Sequence, residues 1–233
     1  MSRKQQVGCD ESHQFRSISG IQNIALYALL IVGCVHAAKG DAVTIAANGE
    51  AKAVIVVAEG ATEAERHAAN ELAGFLQQIA GTAFQVSPPP AAGKTRLLVG
   101  PDAAKLAAPD FSTDGLGADG IIIRTVGDDL ILAGGRPRGT LYAVYTFLED
   151  QVGCRWWSSK VSTIPSKPTL TVGELNIRYV PALEYRETFW FDAFDGDWAV
   201  RNKSNGHSER LDVQRGGKHT YEGFVHTFYP LIP

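Results

Sequence analysis

The sequence is poor in cysteine and has no dense cluster of basic residues. Of its three cysteines, Cys9 and Cys34 lie near the N-terminus, so only Cys154 is sure to remain in the folded part. No internal disulfide framework is therefore expected, and Cys154 is interpreted as a small buried residue beside Trp156 and Trp157. A formal net charge of -3 without a Lys/Arg run is not typical of a nucleic-acid-binding protein, so no nucleic-acid partner is expected.

The composition is otherwise that of a globular protein. Hydrophobic residues make up 45% and charged residues 20% of the 233 positions, which supplies enough apolar material for a sizeable core. This length allows one domain, or one domain and part of a second.

Residues 1–38 are predicted to be an export leader. Basic residues precede an uncharged stretch whose apolar centre, 24–35, has the length of a signal-peptide core and is too short to span a membrane comfortably. Small residues near Ala37 suit cleavage, whereas the sequence ending at Cys34 resembles a bacterial lipobox, in which that cysteine is lipidated. Cleavage, lipidation and an uncleaved anchor all remain open. All three predict an exported protein, which would be periplasmic, an outer-membrane lipoprotein or extracellular. Membrane association is expected only through a possible lipid anchor.

Two amphipathic helices are predicted. Thr62 and Glu65 form the sequence pattern of a capping box, and Gly81 is suited to end the helix. A second helix is predicted over about 138–152, ended by Gly153. The apolar residues of the first helix fall on one face, which consists of Ala64, Ala68, Leu72, Phe75, Leu76 and Ile79.

Short β-branched segments alternate with these helices. Strands are predicted at 43–47, 53–58, 96–100, 121–126 and 130–133, with the last two forming a hairpin across Gly127-Asp128-Asp129. Further strands are expected at 154–157 and 169–177. This order predicts an α+β domain over 39–178, in which a mixed sheet carries the helices on one face.

Three segments carry a resemblance to a known domain. They are Glu65-Arg66-His67-Ala68-Ala69-Asn70-Glu71-Leu72, the stretch from Asp119 to Tyr145, and Gly153-Cys154-Arg155-Trp156-Trp157. Together they resemble the N-terminal, non-catalytic domain of bacterial alpha-glucuronidases and beta-N-acetylhexosaminidases. The resemblance covers about residues 42–178. It implies a domain that precedes a (β/α)₈ barrel and carries no catalytic residue.

Residues 179–233 contain the segments 192–198, Arg201-Asn202-Lys203, Asn205-Gly206 and His226-Thr227-Phe228-Tyr229. These segments resemble a bacterial family of unknown function that commonly follows this domain. The segment 182–191 fits a first barrel strand. A complete barrel needs about 250 residues, so the sequence predicts only the truncated start of a (β/α)₈ barrel and is interpreted as incomplete.

Three residues near the end of that expected strand are candidate substrate-binding groups. Arg186 offers bidentate hydrogen bonds to a carboxylate, while Trp190 and Asp192 suit the CH face and the hydroxyls of a sugar. Alternatively, Arg186 forms an ion pair with Glu184 or Glu187, and Trp190 packs in a barrel core. No catalytic residue is assigned, since the resemblance implies that the catalytic acids lie later in the barrel.

No cofactor or metal is expected from the motifs. Asp192, Asp195 and Asp197 lack the spacing and distal glutamate of an EF-hand, and the histidines after position 200 lack zinc-module spacing. The glycine-rich run 134–139 lacks the lysine of a P-loop and is interpreted as a structural turn.

The sequence therefore predicts the N-terminal part of an exported, glycoside-hydrolase-like protein that acts on complex carbohydrate. Its partner would be an oligosaccharide or polysaccharide. The alternative is a non-catalytic surface protein or lipoprotein that binds or displays polysaccharide. Whether the parent protein is an enzyme stays open, and the 233 residues alone are expected to be inactive.

Overall fold

A computed structural model describes residues 42–89 and 95–220. The predicted leader, including Cys34, lies outside the described residues, and so does the segment 221–233. The described residues belong to one unit. Among the described helices, none is long and apolar enough to cross a membrane.

The main element is a six-stranded mixed sheet. Its strands are β3 (Ala53–Val57), β4 (Val86–Ser87), β5 (Thr95–Val99), β6 (Ile121–Val126), β7 (Asp129–Gly134) and β11 (Asn176–Tyr179). Their order is β11-β6-β7-β5-β3-β4. The four strands β4, β3, β5 and β7 run parallel, whereas β6 and β11 are antiparallel to their neighbours. The predicted mixed sheet and the hairpin of β6 and β7 are confirmed.

Five shorter strands form two small sheets. One sheet has the order β10-β1-β2 and contains β1 (Val43–Ala47), β2 (Glu50–Ala51) and β10 (Leu170–Val172). The other pairs β8 (Arg155–Trp156) with β9 (Ser162–Thr163). The strand expected over 169–177 is thus divided between two sheets, with Gly173 at the start of the break between β10 and β11.

Both long helices lie on one face of the main sheet, as predicted. They are α1 (Glu63–Ala80) and α3 (Gly139–Thr146), and a π-helical turn (Phe147–Val152) continues α3. Alternate strand residues such as Ile55, Leu97 and Leu132 share a buried cluster with both helices. This arrangement follows from the period of two along a strand, which sends every second side chain to the same face.

The opposite face of the sheet is also covered. Val56, Leu98 and Ile131 point there and pack with a short helix, α2 (Pro101–Ala104), and with Phe111. The strands are therefore buried on both faces, although only one face carries long helices.

The ends of α1 match the sequence pattern. The Thr62 hydroxyl accepts a hydrogen bond from the backbone N–H of Glu65 at 3.2 Å, and the Glu65 carboxylate accepts one from the Thr62 N–H at 2.9 Å. Gly81 ends the helix at φ 75°, a left-handed conformation that glycine adopts without a steric penalty. The predicted capping box is confirmed.

The strand expected at 182–191 does not form. In the described part of the chain this segment has no ladder partner and is followed by a 3₁₀ turn (Phe191–Phe194) and helix α4 (Gly196–Arg201). The Arg186 N–H bonds to the Asn205 side-chain oxygen at 2.8 Å instead. A backbone donor satisfied by a side chain is unavailable to a neighbouring strand. The barrel itself remains a prediction.

Candidate functional site

A groove opens on the helix-bearing face of the sheet, beside its β11 edge. Tyr142, Thr146 and Asp150 follow one another at intervals of four along α3 and the π-helical turn, and they line one side. The cavity has a volume of about 450 Å³. Its remaining lining residues are Asp119, Ile121, Ile177, Tyr179, Pro181, Arg186 and Lys203.

One end of the groove is built around the buried carboxylate of Asp119. Its Oδ1 atom accepts a hydrogen bond from Arg138 Nε at 2.6 Å, and its Oδ2 atom accepts one from Arg186 Nη2 at 2.8 Å. The fully buried amide of Asn205 donates to the same Oδ2 at 2.8 Å. The negative charge of Asp119 therefore balances positive charge on both Arg138 and Arg186. The hydrogen bonds of this carboxylate also join the segment before β6 to Arg186 and Asn205.

Arg138 extends this cluster to a later loop. Its Nη1 atom lies 3.4 Å from the carbonyl oxygens of Gly216 and Gly217, and its Nη2 atom lies 3.1 Å from His219 Nε2. A guanidinium group only donates hydrogen bonds, so His219 Nε2 can take part in this contact only as an acceptor. A second cavity of about 240 Å³, lined in part by Asp119, Arg186 and His219, adjoins the groove.

Arg186 is engaged by the protein itself. Besides Asp119, it donates from Nε to the carbonyl oxygen of Lys203 at 2.8 Å and from Nη1 to that of Leu183 at 2.7 Å. Its guanidinium carbon lies 5.6 Å from the centre of the Tyr142 ring. The ion-pair partner is thus Asp119, not Glu184 or Glu187 as considered from the sequence. Substrate binding by Arg186 remains a prediction.

The loop 204–209, next to this cluster, is held together by the buried side chain of Glu209. Glu209 accepts hydrogen bonds from the Ser204 hydroxyl and from the Gly206 N–H, the latter at 2.8 Å. Burial raises the pKa of its carboxyl group, and burial also raises the pKa of the Tyr142 hydroxyl, which donates to the Ser204 carbonyl at 3.1 Å. Both side chains hold the loop in place.

Trp190 and Asp192 lie apart from the groove lining. Trp190 is 54% exposed, and its neighbours Phe189 and Phe191 are 76% and 82% exposed. Asp192 accepts hydrogen bonds from the hydroxyl and the backbone N–H of Ser159 at 2.5 and 2.8 Å, which lower the pKa of its carboxyl group. The structure therefore brings Trp190 and Asp192 together on one turn, while Arg186 lines the groove. Their role in substrate binding remains a prediction.

The other aspartates of that loop have structural partners. Asp195 caps α4 by accepting from the Trp198 N–H at 2.9 Å, and Asp197 Oδ1 accepts from Arg215 Nε at 2.8 Å. Over residues 42–89 and 95–220, no group of three His, Cys, Asp or Glu side chains is placed to hold a metal ion.

The glycine-rich run 134–139 packs tightly against the segment before β6. A Cβ atom at Gly135 would overlap the carbonyl oxygen of Gly117, so a larger residue cannot occupy this position without movement. Arg136, within the run, forms ion pairs with Glu65 at 2.8 Å and Asp102 at 2.7 Å. These contacts agree with a structural turn.

Cys154 is buried, as expected. It is fully shielded from solvent, and burial raises the pKa of its thiol to about 11. The thiol therefore stays protonated and unreactive at neutral pH.

Sequence reasoning missed the cluster of Asp119, Arg138 and Asn205, and the buried Glu209 in the adjoining loop. Each is an ordinary polar residue in a turn or loop, and Asp119 is separated from Asn205 by 86 positions. Nothing local in the sequence marks such a pairing.

Two protein-family models match different parts of the chain. Residues 40–147 match the family described as the glycosyl hydrolase family 67 N-terminus. Residues 156–233 match a family described as a domain of unknown function, DUF4838. The resemblance to an alpha-glucuronidase N-terminal domain, followed by a family of unknown function, is thereby confirmed. The first of these two matches is to a domain of a glycosyl hydrolase family.

One solved structure is partly similar to this chain. A protein described as a family GH115 4-O-methyl-alpha-glucuronidase with specificity for decorated arabinogalactans matches 66% of this chain, with a TM-score of 0.47 and 16% identical residues. The present chain spans 24% of that protein's length. No curated protein sequence matches the chain.

Proposed function

We propose that this chain is the N-terminal accessory part of an exported protein that acts on complex carbohydrate. The match of residues 40–147 to the family 67 N-terminus carries this proposal. The chain would support and position a barrel domain that follows it, while the residues that perform the chemistry lie outside these 233 positions.

The hydrogen bonds of Asp119, Glu209 and Glu187 favour a supporting role over a catalytic one. Glycoside hydrolysis typically uses two carboxyl groups that flank the scissile bond. Asp119 is instead held by two arginines, Glu209 bonds to its own loop, and Glu187 accepts from the Ser208 N–H at 2.9 Å. These hydrogen bonds are suited to holding segments together.

The purified 233-residue chain is therefore expected to show no turnover of aryl glycosides or glucuronoxylan fragments. A longer protein that continues through a complete barrel, assayed beside it at the same concentration, is the positive comparison. Hydrolysis by the short chain at a rate similar to that of the long one would contradict the accessory role.

One observation favours a second proposal, that this chain itself binds polysaccharide. The aromatic side chains of residues 189–191 are exposed. Aromatic rings at a surface suit the CH faces of sugars, and the adjoining Asp192 offers acceptors to hydroxyls. On this proposal the parent protein holds polysaccharide through this turn, with or without cleavage.

Replacing Trp190 by alanine is expected to weaken polysaccharide binding by roughly tenfold, because the lost aromatic contact contributes about 1–1.5 kcal/mol. Asp192→Asn should cause a smaller loss. Affinity electrophoresis on glucuronoxylan measures both variants, with Val161→Ala, another exposed apolar residue, as the control. Equal retardation of the variants and wild type, with unchanged thermal melts, would show that the turn has no such role.

Export is the remaining part of the proposal. Residues 1–38 would direct the chain out of the cytoplasm, and mass spectrometry of the mature protein from a bacterial host tests this. A lipidated Cys34 supports a membrane-anchored form, whereas a start near Ala38 supports a periplasmic or secreted one. Recovery of the intact Met1 terminus from the cytosol would exclude both.

A further inference from the structure

We propose that the groove beside β11 binds a neutral sugar unit. This inference rests on the proposed carbohydrate function and adds a site distinct from the Trp190 turn. A cavity of about 450 Å³ falls within the range of small-ligand pockets, which is about 300–1,000 Å³.

The groove offers an apolar surface to one face of a ligand. Ile121, Ile177 and Pro181 line it together with two tyrosines, and the Tyr179 side chain is 56% exposed. The apolar CH face of a pyranose ring stacks on such a surface, because tyrosine presents a broad apolar ring together with a polar tip. The open Tyr179 ring is the natural stacking platform.

Polar groups at the other side suit hydroxyls. Thr146 and Asp150 lie one helical turn apart and both line the groove. The Asp150 side chain is exposed, so its carboxylate can accept hydrogen bonds from vicinal hydroxyls, and the Thr146 hydroxyl can donate or accept.

The charges of the lining favour a neutral ligand over a uronic acid. Two carboxylates, Asp119 and Asp150, stand beside two cations, Arg186 and Lys203. Both cations already have partners, since Arg186 pairs with Asp119 and Lys203 pairs with Glu149. A sugar carboxylate in the groove would have to compete with Asp119 or Glu149 for a cation that is already paired. The exposed carboxylate of Asp150 would also repel it.

The experiment is a calorimetric titration of the full chain with xylobiose, cellobiose and, as the charged probe, glucuronic acid. At least one neutral disaccharide should bind, with glucuronic acid weaker by tenfold or so. Tyr179→Ala should weaken disaccharide binding roughly tenfold and Asp150→Asn roughly fivefold.

Trp157→Ala is the matched control, because it removes an aromatic side chain that is also exposed (61%) and lies outside the groove lining, and it should leave disaccharide affinity unchanged. Cyclohexanol serves as an apolar probe without vicinal hydroxyls. Absence of disaccharide binding, equal binding of cyclohexanol, or an unchanged affinity in a folded Tyr179→Ala protein would overturn the groove site. If polysaccharide binding is lost in Trp190→Ala but retained in Tyr179→Ala, the groove site is wrong while the proposed carbohydrate function stands. Failure of the groove site can therefore be distinguished from failure of the proposed function.

Discussion

Replacing Asp119 by asparagine is expected to lower the free energy of unfolding by about 3–5 kcal/mol. The Asp119 carboxylate is buried and pairs with Arg138, which is also buried, and with Arg186, which is largely so. Asparagine keeps the size of the side chain but removes its charge, leaving two guanidinium groups without compensation in a poorly solvated site. Urea denaturation followed by tryptophan fluorescence measures the change.

Asp102→Asn is the matched control for this variant. Asp102 also accepts a hydrogen bond from an arginine, Arg136, at 2.7 Å, but both side chains are more than two-fifths exposed. Exposed pairs contribute about 0–1 kcal/mol, so the control should lose no more than that. Similar losses in the two variants would show that burial of the Asp119 cluster does not determine its contribution.

The Asp119→Asn variant should also loosen a defined part of the chain. Residues 186 and 205 contact Asp119 directly, and residues 216, 217 and 219 contact it through Arg138. Amide hydrogen exchange is therefore expected to speed up over about 184–219 before it does in α1. Uniform acceleration throughout the chain would contradict this local role.

Leu72→Asp is expected to prevent folding altogether. Leu72 is completely buried on the inner face of α1, in the cluster shared with α3 and the main sheet. A carboxylate there would lose its hydration without gaining a partner, at a cost of several kcal/mol that is comparable with the whole stability of a domain. Circular dichroism and a thermal melt test this directly.

Two further variants separate charge burial from loss of volume. Leu72→Ala leaves a cavity and should cost about 2–5 kcal/mol while keeping the fold. Gln77→Asp places a carboxylate on the exposed face of the same helix, near its C-terminal end, and should cost less than about 1 kcal/mol. A folded Leu72→Asp protein with a cooperative melt would show that α1 is not packed as described.

The amino-acid sequence by itself determined the elements that depend on near neighbours. The α1 cap needs only Thr62 and Glu65, three positions apart, and its buried face follows from the helical period. The turn at 127–128 joins strands that are adjacent in the chain. Such elements are readable because the residues that stabilise them are close together in the sequence.

Only the tertiary structure determined where the site lies and which conformation residues 182–191 adopt. Their pattern suits a strand, but the Arg186 N–H bonds to a side chain nineteen positions later. The Asp119 cluster joins residues 19, 67 and 86 positions away. The groove likewise arises where helix α3 and strand β11 meet. These features depend on which segments, distant in the sequence, pack against each other. Burial of apolar surface and pairing of charges over the whole chain determine that packing, so a local sequence pattern does not predict it.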